Sequence, residues 1–159
     1  MAKKNESINI SICAESADTF LMLGTKFFEE RHNSAVFLYR YLAPCTVNLS
    51  FSCELYMKAI IASENSLDGV WGEIQRGHEL DALFAQISAL VQNKIRTEYA
   101  KWTSLKTLDE CLAIHRRAFM DWRYYFEKRD DSISVEIQSL YNLTVSIHNI
   151  YMEVAGNAP

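Results

Sequence analysis

The sequence predicts an all-α protein, an up-and-down bundle of four to five helices. The chain has only five glycines and two prolines, while 49% of its residues are hydrophobic, which argues against disorder and against a β-sandwich with many turns. Apolar residues also recur at the three- and four-residue spacing of helices that bury one face. The 159 residues suit a single domain, 1–159, with an ordered core over about 15–155.

The net charge and the lengths of the apolar segments limit the classes of function and the cellular location of the protein. A net charge of −4, from 16 basic and 20 acidic residues, provides no overall basic field to attract nucleic acid. This net charge does not exclude a local basic patch. The N-terminus lacks an apolar signal core, and no apolar run is long enough to span a bilayer. We therefore expect a cytoplasmic protein without a membrane segment. Its cysteines form no C-x-x-C pair, and we expect them to be reduced.

The first helix is predicted over 16–31, with Ser16 as its N-cap. Its apolar stripe has helical spacing and consists of Phe20, Leu23, Phe27 and Phe28. The aromatic run over 36–42 fits no single period, and we interpret it as helical.

A central helix is predicted over 44–63. Pro44 disfavours helical dihedrals at the residue before it and suits the first turn of a helix. The following segment, 64–77, contains three of the five glycines around Trp71, which predicts a mobile loop. In this loop Trp71 either covers the core or provides a platform for a ligand.

Three further helices are predicted in the second half of the chain. One starts near His78, and its buried side is expected to consist of Leu80, Leu83, Phe84, Ile87 and Leu90 or Val91. A weaker helical pattern over 92–104 leads to a long fourth helix over 105–128. Its principal face consists of Leu108, Leu112, His115, Phe119, Trp122 and Phe126. Ser132 can cap a fifth helix that ends at Gly156, packed antiparallel on the fourth across the turn 130–132.

Glu54 and Lys58 place a charged pair inside the central helix. Four residues apart, with Glu before Lys, they share one face in the orientation that favours an ion pair. Apolar residues surround this face, so we expect the pair to be partly buried. Buried charges persist only when other groups pair with them. The expected partners are His78 and the run 115–127, with Arg123 in one cluster with the pair.

Three motifs occur in order along the chain: CELYMKAII contains the charged pair, RGHEL lies at a helix start, and WRYYFE lies near the end of the fourth helix. Together they resemble the HEPN family, the helical "higher eukaryotes and prokaryotes nucleotide-binding" domains, over 44–127. The similarity lies in the acid and Lys of the family's central helix, its G-H-(acid)-L helix start, and the R-Y-x-x-E of one of its branches.

The resemblance implies a bundle of four or five helices that commonly dimerises, with a polar site near the dimer seam. It also implies a role in RNA cleavage, nucleotide binding, toxin–antitoxin pairs or antiviral defence. Nuclease members of the family carry an R-x4–6-H signature on the late helix. Here Arg116, Arg117 and Arg123 all lack a His at that spacing, so nothing is carried over from the nuclease motif.

The candidate site residues each keep two interpretations. The candidates for binding are Glu54, Lys58, His78, Arg117, Arg123, Tyr124 and Glu127, and the candidates for catalysis are His78 and Arg123. In one interpretation, Glu54 and Lys58 join the central helix to the fourth, and Arg123 or Glu127 completes the network of ion pairs. In the other, Lys58 and Arg123 bind a phosphate and Glu54 orients them. The basic and aromatic residues of the fourth helix also have two interpretations. Either they bind RNA, or the aliphatic parts of the Arg side chains cover aromatic residues of the core.

The histidines carry separate expectations. His78 lies at a predicted helix N-terminus, whose dipole favours the neutral imidazole, and a neutral His can serve as a general base. His115 lies on an apolar face and is expected to be a satisfied core histidine. No set of His, Cys, Asp or Glu has the spacing of metal ligands, so neither a metal nor a cofactor is expected.

Three functional hypotheses follow. The first is a HEPN-like module that binds RNA, a nucleotide or a cognate partner protein in a defence, toxin–antitoxin or regulatory setting, without strong ribonuclease activity. The second is a metal-independent ribonuclease, in which Arg123 stabilises the phosphorane, His78 is the base, and Glu54 or Lys58 orients them. The third is a purely structural interaction domain. A homodimer is also predicted, because the aromatic residues exceed what one modest core buries. These residues are Tyr39, Tyr41, Trp122, Tyr124 and Tyr125.

Overall fold

The computed structural model describes residues 5–127 and 135–156. They form a predominantly helical fold with one two-stranded sheet, so the all-α prediction is confirmed except for the sheet. In chain order the elements are strand β1 (Asn5–Asn9), helix α1 (Ile10–Glu29), a 3₁₀ turn (Glu30–His32), α2 (Ser34–Val36), a π-helical turn (Phe37–Tyr41), α3 (Leu42–Glu64), strand β2 (Trp71–Gln75), α4 (Leu80–Phe84), α5 (Ala89–Ala100), α6 (Leu108–His115), α7 (Ala118–Arg123), a 3₁₀ turn (Tyr125–Glu127) and α8 (Ile137–Gly156). The run 36–42 is helical, as predicted.

Helix α3 is the centre of the fold. It contacts α1, α4, α7, α8 and both strands, because its apolar residues occupy all sides of the helix rather than one stripe. The residues of its second half that are fully buried include Cys53, Tyr56, Met57, Ala59, Ile60 and Ala62. A helix that is apolar all round lies in the interior. The charged pair of this helix is therefore carried into the interior with it.

Helix α1 begins earlier than predicted, because Asn9 rather than Ser16 is its N-cap. The Asn9 side chain accepts a hydrogen bond from the Ile12 amide at 3.0 Å, whereas the Ser16 hydroxyl donates to the Ile12 carbonyl inside the helix. The buried residues of α1 are Ile10, Ala14, Ala17, Gly24 and Phe28. A Cβ at Gly24 would lie 2.7 Å from the Leu49 side chain, so small residues let α1 approach α3 closely.

The segment 64–77, predicted to be a mobile loop, contains β2 instead. This strand pairs antiparallel with β1, and Glu6 lies opposite Ile74. Gly72 lies so close to α3 that an added Cβ would be 1.9 Å from the Ala62 carbonyl oxygen. The sheet therefore packs directly on the central helix, and no other residue fits at this glycine.

Side-chain to backbone hydrogen bonds hold the turn before β2. The Asp68 carboxylate accepts from the amides of Val70 and Trp71 at 2.8 and 2.9 Å. These bonds lower the pKa of Asp68. Trp71 itself is 52% exposed, so it does not cover the core, which was one of its two interpretations.

The predicted third helix is divided in two. Helix α4 ends at Phe84, and α5 begins at Ala89 with Ser88 as its N-cap. The predicted buried side is confirmed for Leu80, Leu83, Phe84, Ile87 and Val91. Leu90 is exposed, which decides between the two alternatives for that position. The weaker pattern over 92–104 is helical as far as Ala100.

The long helix predicted over 105–128 is also wrong, because the chain breaks after His115. Helix α6 starts at Leu108, and its N-terminus is a capping box in which the Thr107 hydroxyl and the Glu110 carboxylate each accept from the other's backbone amide. Helix α7 then starts at Ala118.

Contacts with the start of α4 stabilise the break between α6 and α7. The Leu80 amide donates to the Arg116 carbonyl at 3.0 Å. The Arg116 guanidinium lies 2.7 Å from Glu79 and 3.3 Å from Asp81. A tertiary hydrogen bond and two ion pairs thus replace the helical bonds at this point, without a Gly or Pro.

The buried residues of helix α8 include Leu140, Leu143, Thr144 and Ile147. Its principal neighbour is α3, and it also contacts α5 and α6. The prediction that this helix packs antiparallel on one long fourth helix is therefore wrong. The turn 130–132, with the Ser132 cap, lies outside the described residues.

Candidate functional site

Glu54 and Lys58 form the ion pair that the sequence predicts. The Glu54 Oε1 atom lies 3.0 Å from Lys58 Nζ, one turn along α3. The Glu54 side chain is 0% exposed and the Lys58 side chain is 10% exposed. Removing two charges from water is costly unless other groups hydrogen-bond to them. Further partners of the pair come from other elements.

His78 is the second partner of Glu54, as expected. Its Nδ1 atom lies 2.9 Å from Glu54 Oε1. An ionised carboxylate only accepts hydrogen bonds, so Nδ1 carries a proton and Nε2 is the nitrogen available to a ligand. Helix α4 begins two residues later and has only five residues. The contact that orients His78 is therefore the carboxylate of α3 rather than a helix dipole.

Glu6 and Arg76 complete the arrangement, and neither is a candidate from the sequence. Glu6 Oε1 lies 3.7 Å from Lys58 Nζ, and Glu6 Oε2 lies 3.7 Å from Arg76 Nε. Glu6 belongs to β1 and Arg76 follows β2, so their approach depends on the strand pairing that was not predicted. We name Glu6, Glu54, Lys58, Arg76 and His78 the polar cluster.

Cys13 of α1 borders the polar cluster. Its thiol donates to the Leu55 carbonyl at 3.3 Å. Burial raises the pKa of the Cys13 thiol to about 11; the charge of Lys58 acts in the opposite direction, and that of Glu54 raises it further. The thiol is therefore protonated at neutral pH and does not provide a nucleophile.

Glu54 uses only one of its two oxygens. Its Oε1 atom accepts from Lys58 and His78, whereas the buried Oε2 accepts no hydrogen bond from any residue that the structure describes. Buried polar atoms without a partner are uncommon, and each requires an explanation. Here the unused oxygen gives the polar cluster the capacity for one more donor.

Arg123 and Tyr124 form a second surface. The Arg123 guanidinium lies over the rings of Phe119 and Tyr124, 5.0 and 4.5 Å from their centroids. Phe119 stacks in turn on Phe51 of α3, with the ring centroids 4.4 Å apart. Phe51 and Lys58 are seven residues apart, so they share one face of α3 at a separation of about 10 Å. This aromatic surface and the polar cluster thus pack against the same face of α3.

The other predicted site residues do not join the polar cluster. Within residues 5–127 and 135–156, Glu54 makes no ion pair with Arg123, so the single cluster predicted for them is corrected. The guanidinium of Arg123 rests on aromatic rings instead. Arg117 and Glu127 are exposed, and it is Arg116 that makes the ion pairs with the start of α4.

His115 is a buried core residue, as predicted, but it is not fully satisfied, because its buried Nδ1 has no hydrogen-bond partner among the residues that the structure describes. Its Nε2 atom lies 3.0 Å from Ser139 Oγ, and the Ser139 hydroxyl donates to the Glu136 carbonyl. Ser139 Oγ must then accept from Nε2–H. Burial lowers the pKa of His115 to about 4, although Glu136 acts in the opposite direction. The imidazole is neutral at physiological pH and serves packing.

No family model matches the chain, no curated protein matches its sequence, and no solved structure matches its fold. The resemblance to the HEPN family therefore stays a prediction from the three motifs. In the described part of the chain, no helix has both the length and the apolar character to cross a membrane. The same residues provide no group of three His, Cys, Asp or Glu side chains placed to hold a metal ion.

Proposed function

We propose that this chain is a HEPN-like helical module that binds a phosphate-bearing ligand, RNA or a nucleotide, at the polar cluster. One observation carries the proposal: Lys58 of α3 meets Arg76 and His78 of the segment after β2, and the three converge around two carboxylates. Lys and Arg side chains are the groups that most often hold phosphate oxygens. Such a convergence has no counterpart elsewhere among the ion pairs of the described residues.

The exposure of the donors suits entry from solvent. The side chains of Arg76 and His78 are 67% and 45% exposed, whereas that of Lys58 is 10% exposed. A ligand phosphate therefore meets Arg76 and His78 first and Lys58 last. Glu54 keeps Lys58 and His78 in position, which reduces the ordering that binding must impose.

Arg123 and Tyr124 extend the proposed surface to nucleic acid bases. Aromatic rings and Arg side chains bind unpaired bases with little regard to sequence. Arg117, at the start of α7, adds positive charge. A cognate partner protein in a defence, toxin–antitoxin or regulatory system would have to cover this same face.

A metal-independent ribonuclease is the second candidate, favoured by the Glu54–His78 hydrogen bond of 2.9 Å. A carboxylate on Nδ1–H leaves Nε2 basic and stabilises the imidazolium that forms. In this reaction Nε2 takes the proton of a ribose 2′-hydroxyl, and that oxygen attacks the adjacent phosphorus. The bond to the 5′-oxygen of the next nucleotide breaks, and that oxygen takes a proton from water. Lys58 or Arg123 stabilises the phosphorane.

We expect this activity to be weak. A positioned acid or base contributes roughly 10²–10⁴ in rate, and the chain lacks the Arg-to-His spacing that places a histidine beside the late Arg in nuclease members of the family. His78 is then the only side chain assigned to proton transfer.

The test is to incubate purified protein with mixed RNA without metal, beside His78→Ala and Arg123→Ala. Electrophoresis measures cleavage, filter retention measures binding, and competition by a mononucleotide separates nucleotide binding from RNA binding. Salt-sensitive retention that falls in His78→Ala, without cleavage, supports the binding module. Robust cleavage lost in both variants would promote the ribonuclease. If the protein shows neither binding nor cleavage, the purely structural interaction domain is the hypothesis that remains.

A further inference from the structure

Glu6 is held differently from the other carboxylate of the polar cluster. Its Oε1 lies 3.7 Å from Lys58 Nζ, and its Oε2 lies 3.7 Å from Arg76 Nε. Both distances exceed the roughly 2.7–2.9 Å of a charge-assisted hydrogen bond. The Glu6 carboxylate therefore lies between two cations without being hydrogen-bonded to either.

The two carboxylates also differ in exposure. The Glu54 side chain is fully buried, whereas that of Glu6 is 33% exposed. The ion pair of Glu6 with the exposed Arg76 contributes little to stability. Lys58 keeps Glu54 as its counterion at 3.0 Å when Glu6 leaves, so Glu6 can leave its position at little cost. Glu54 cannot, because its departure would leave Lys58 buried without its hydrogen-bonded counterion.

We propose that Glu6 is an intramolecular competitor of the ligand phosphate, occupying the anion position between Lys58 and Arg76. This inference rests on the proposed function and assigns to Glu6 the control of affinity at that same site. A phosphate that approaches both cations must displace the carboxylate, since two anions in one position repel each other.

The competition also selects the kind of anion. With Glu6 in place, Glu6 and Glu54 together balance the charges of Lys58 and Arg76, and little net charge remains to attract a ligand. A free carboxylate brings no more charge than Glu6 and gains nothing by exchange. A phosphate monoester brings up to two charges and three acceptor oxygens, so it can contact both cations at hydrogen-bonding distance.

The test compares Glu6→Gln with a matched control, Glu73→Gln. Glu73 lies on β2 opposite Ser7 and is exposed, so both variants remove the same charge from the same sheet. Fluorescence anisotropy with a 3′-labelled single-stranded RNA that carries a 5′-monophosphate measures affinity, and AMP as competitor measures mononucleotide binding. Glu6→Gln should bind about three- to tenfold more tightly than wild type, as expected when one nearby like charge is removed. Glu73→Gln should change affinity by less than about twofold, and Glu6→Asp should bind like wild type.

The outcomes separate this inference from the proposed function. Equal affinities of Glu6→Gln and Glu73→Gln, together with weaker binding by Arg76→Ala, overturn the role of Glu6 and leave the binding site intact. Binding that becomes measurable only in Glu6→Gln supports the competitor. No binding by wild type or by Glu6→Gln, with both folded by circular dichroism, overturns both.

Discussion

Glu54 determines how the polar cluster is built. One of its oxygens accepts from Lys58 and His78, and the Glu54 side chain is itself fully buried. The spacing of Glu54 and Lys58 predicted the pair, and the RGHEL motif supplied His78 as a partner. Arg76 is the first residue of the same motif and was overlooked there. Glu6 could not be predicted in this way, because a charged residue gives no local signal of what lies opposite it in the fold.

Truncation of Glu54 to Ala should lower the free energy of unfolding by about 3–5 kcal/mol. The reason is that Lys58 stays buried with no hydrogen-bonded counterion. Glu54→Gln keeps the shape and one accepting oxygen, so it should cost less. Urea titrations at pH 7 measure both variants. A loss under about 1 kcal/mol for Glu54→Ala would show that the pair is solvated.

His115 should make the protein less stable in mild acid. Its pKa is about 4 in the folded state against 6.5 for an unperturbed His, so the unfolded chain binds more protons between these values. Stability is then complete above about pH 7 and falls as the pH drops through 6.5 toward 4, by about 2 kcal/mol between pH 7 and pH 5.

The variant His115→Gln provides the control for this effect, since it keeps a donor for Ser139 but does not titrate. Urea midpoints at pH 7 and pH 5 should differ more for wild type than for the variant. Equal shifts in the two proteins would mean that other groups cause the acid sensitivity.

At the scale of the elements, the sequence predicted apolar faces better than it predicted helix boundaries. The stripes of α4, α5 and α8 follow from large apolar residues at helical spacing. Helix α1 packs through Ala and Gly, which add little to a pattern read from large side chains. The strands were missed because each covers only five residues, too few for a clear alternation, and because the glycines in and around β2 indicated a loop.

The break between α6 and α7 shows a different limit. The start of α6 carries a readable signal, the Thr107 and Glu110 capping box, which the prediction overlooked. The end of α6 carries no such signal, because the Leu80 amide and the carboxylates of Glu79 and Asp81 contact Arg116, the C-cap residue, from another part of the chain. A helix end fixed by tertiary contacts leaves no mark in the local sequence.

Gly72→Ala tests the packing of the sheet on α3. The added methyl group would meet the Ala62 carbonyl at 1.9 Å, and backbone atoms cannot move aside easily, so a loss of about 1–3 kcal/mol or more is expected. Gly77→Ala is the matched control, because nothing lies within 4 Å of its added Cβ. Thermal unfolding followed by circular dichroism compares them. If the two variants lose stability equally, the strand does not pack as described.

At the scale of the whole molecule, the site exists because β1, α3 and the segment after β2 meet. Three of its five residues, Glu54, Lys58 and His78, could be chosen from motifs. Their convergence with Glu6 and Arg76 depends on an antiparallel pairing between residues almost seventy positions apart, which periodicity cannot supply. Arg123 was chosen by motif too, and it lies on the neighbouring aromatic surface instead.

The predicted homodimer depends on aromatic residues that the monomer leaves exposed. Trp122 is buried and Tyr41 stacks on Phe27, but Tyr39 is 88% exposed beside Leu38 at 61%. We expect sedimentation velocity to show a dimer at high micromolar concentration, and a Leu38→Ser/Tyr39→Ser variant to shift toward monomer if this patch lies in the interface. A wild-type protein that sediments as a monomer would refute the prediction.

The most direct test of the central claim is a titration of ¹⁵N-labelled protein with a short single-stranded RNA, followed by amide chemical shifts. We expect the largest changes at residues 6, 58 and 76–79, smaller ones at 119–124, and the loss of both as salt is added. Changes confined to other parts of the chain, or none at saturating RNA, would contradict the assignment of the polar cluster as a phosphate site.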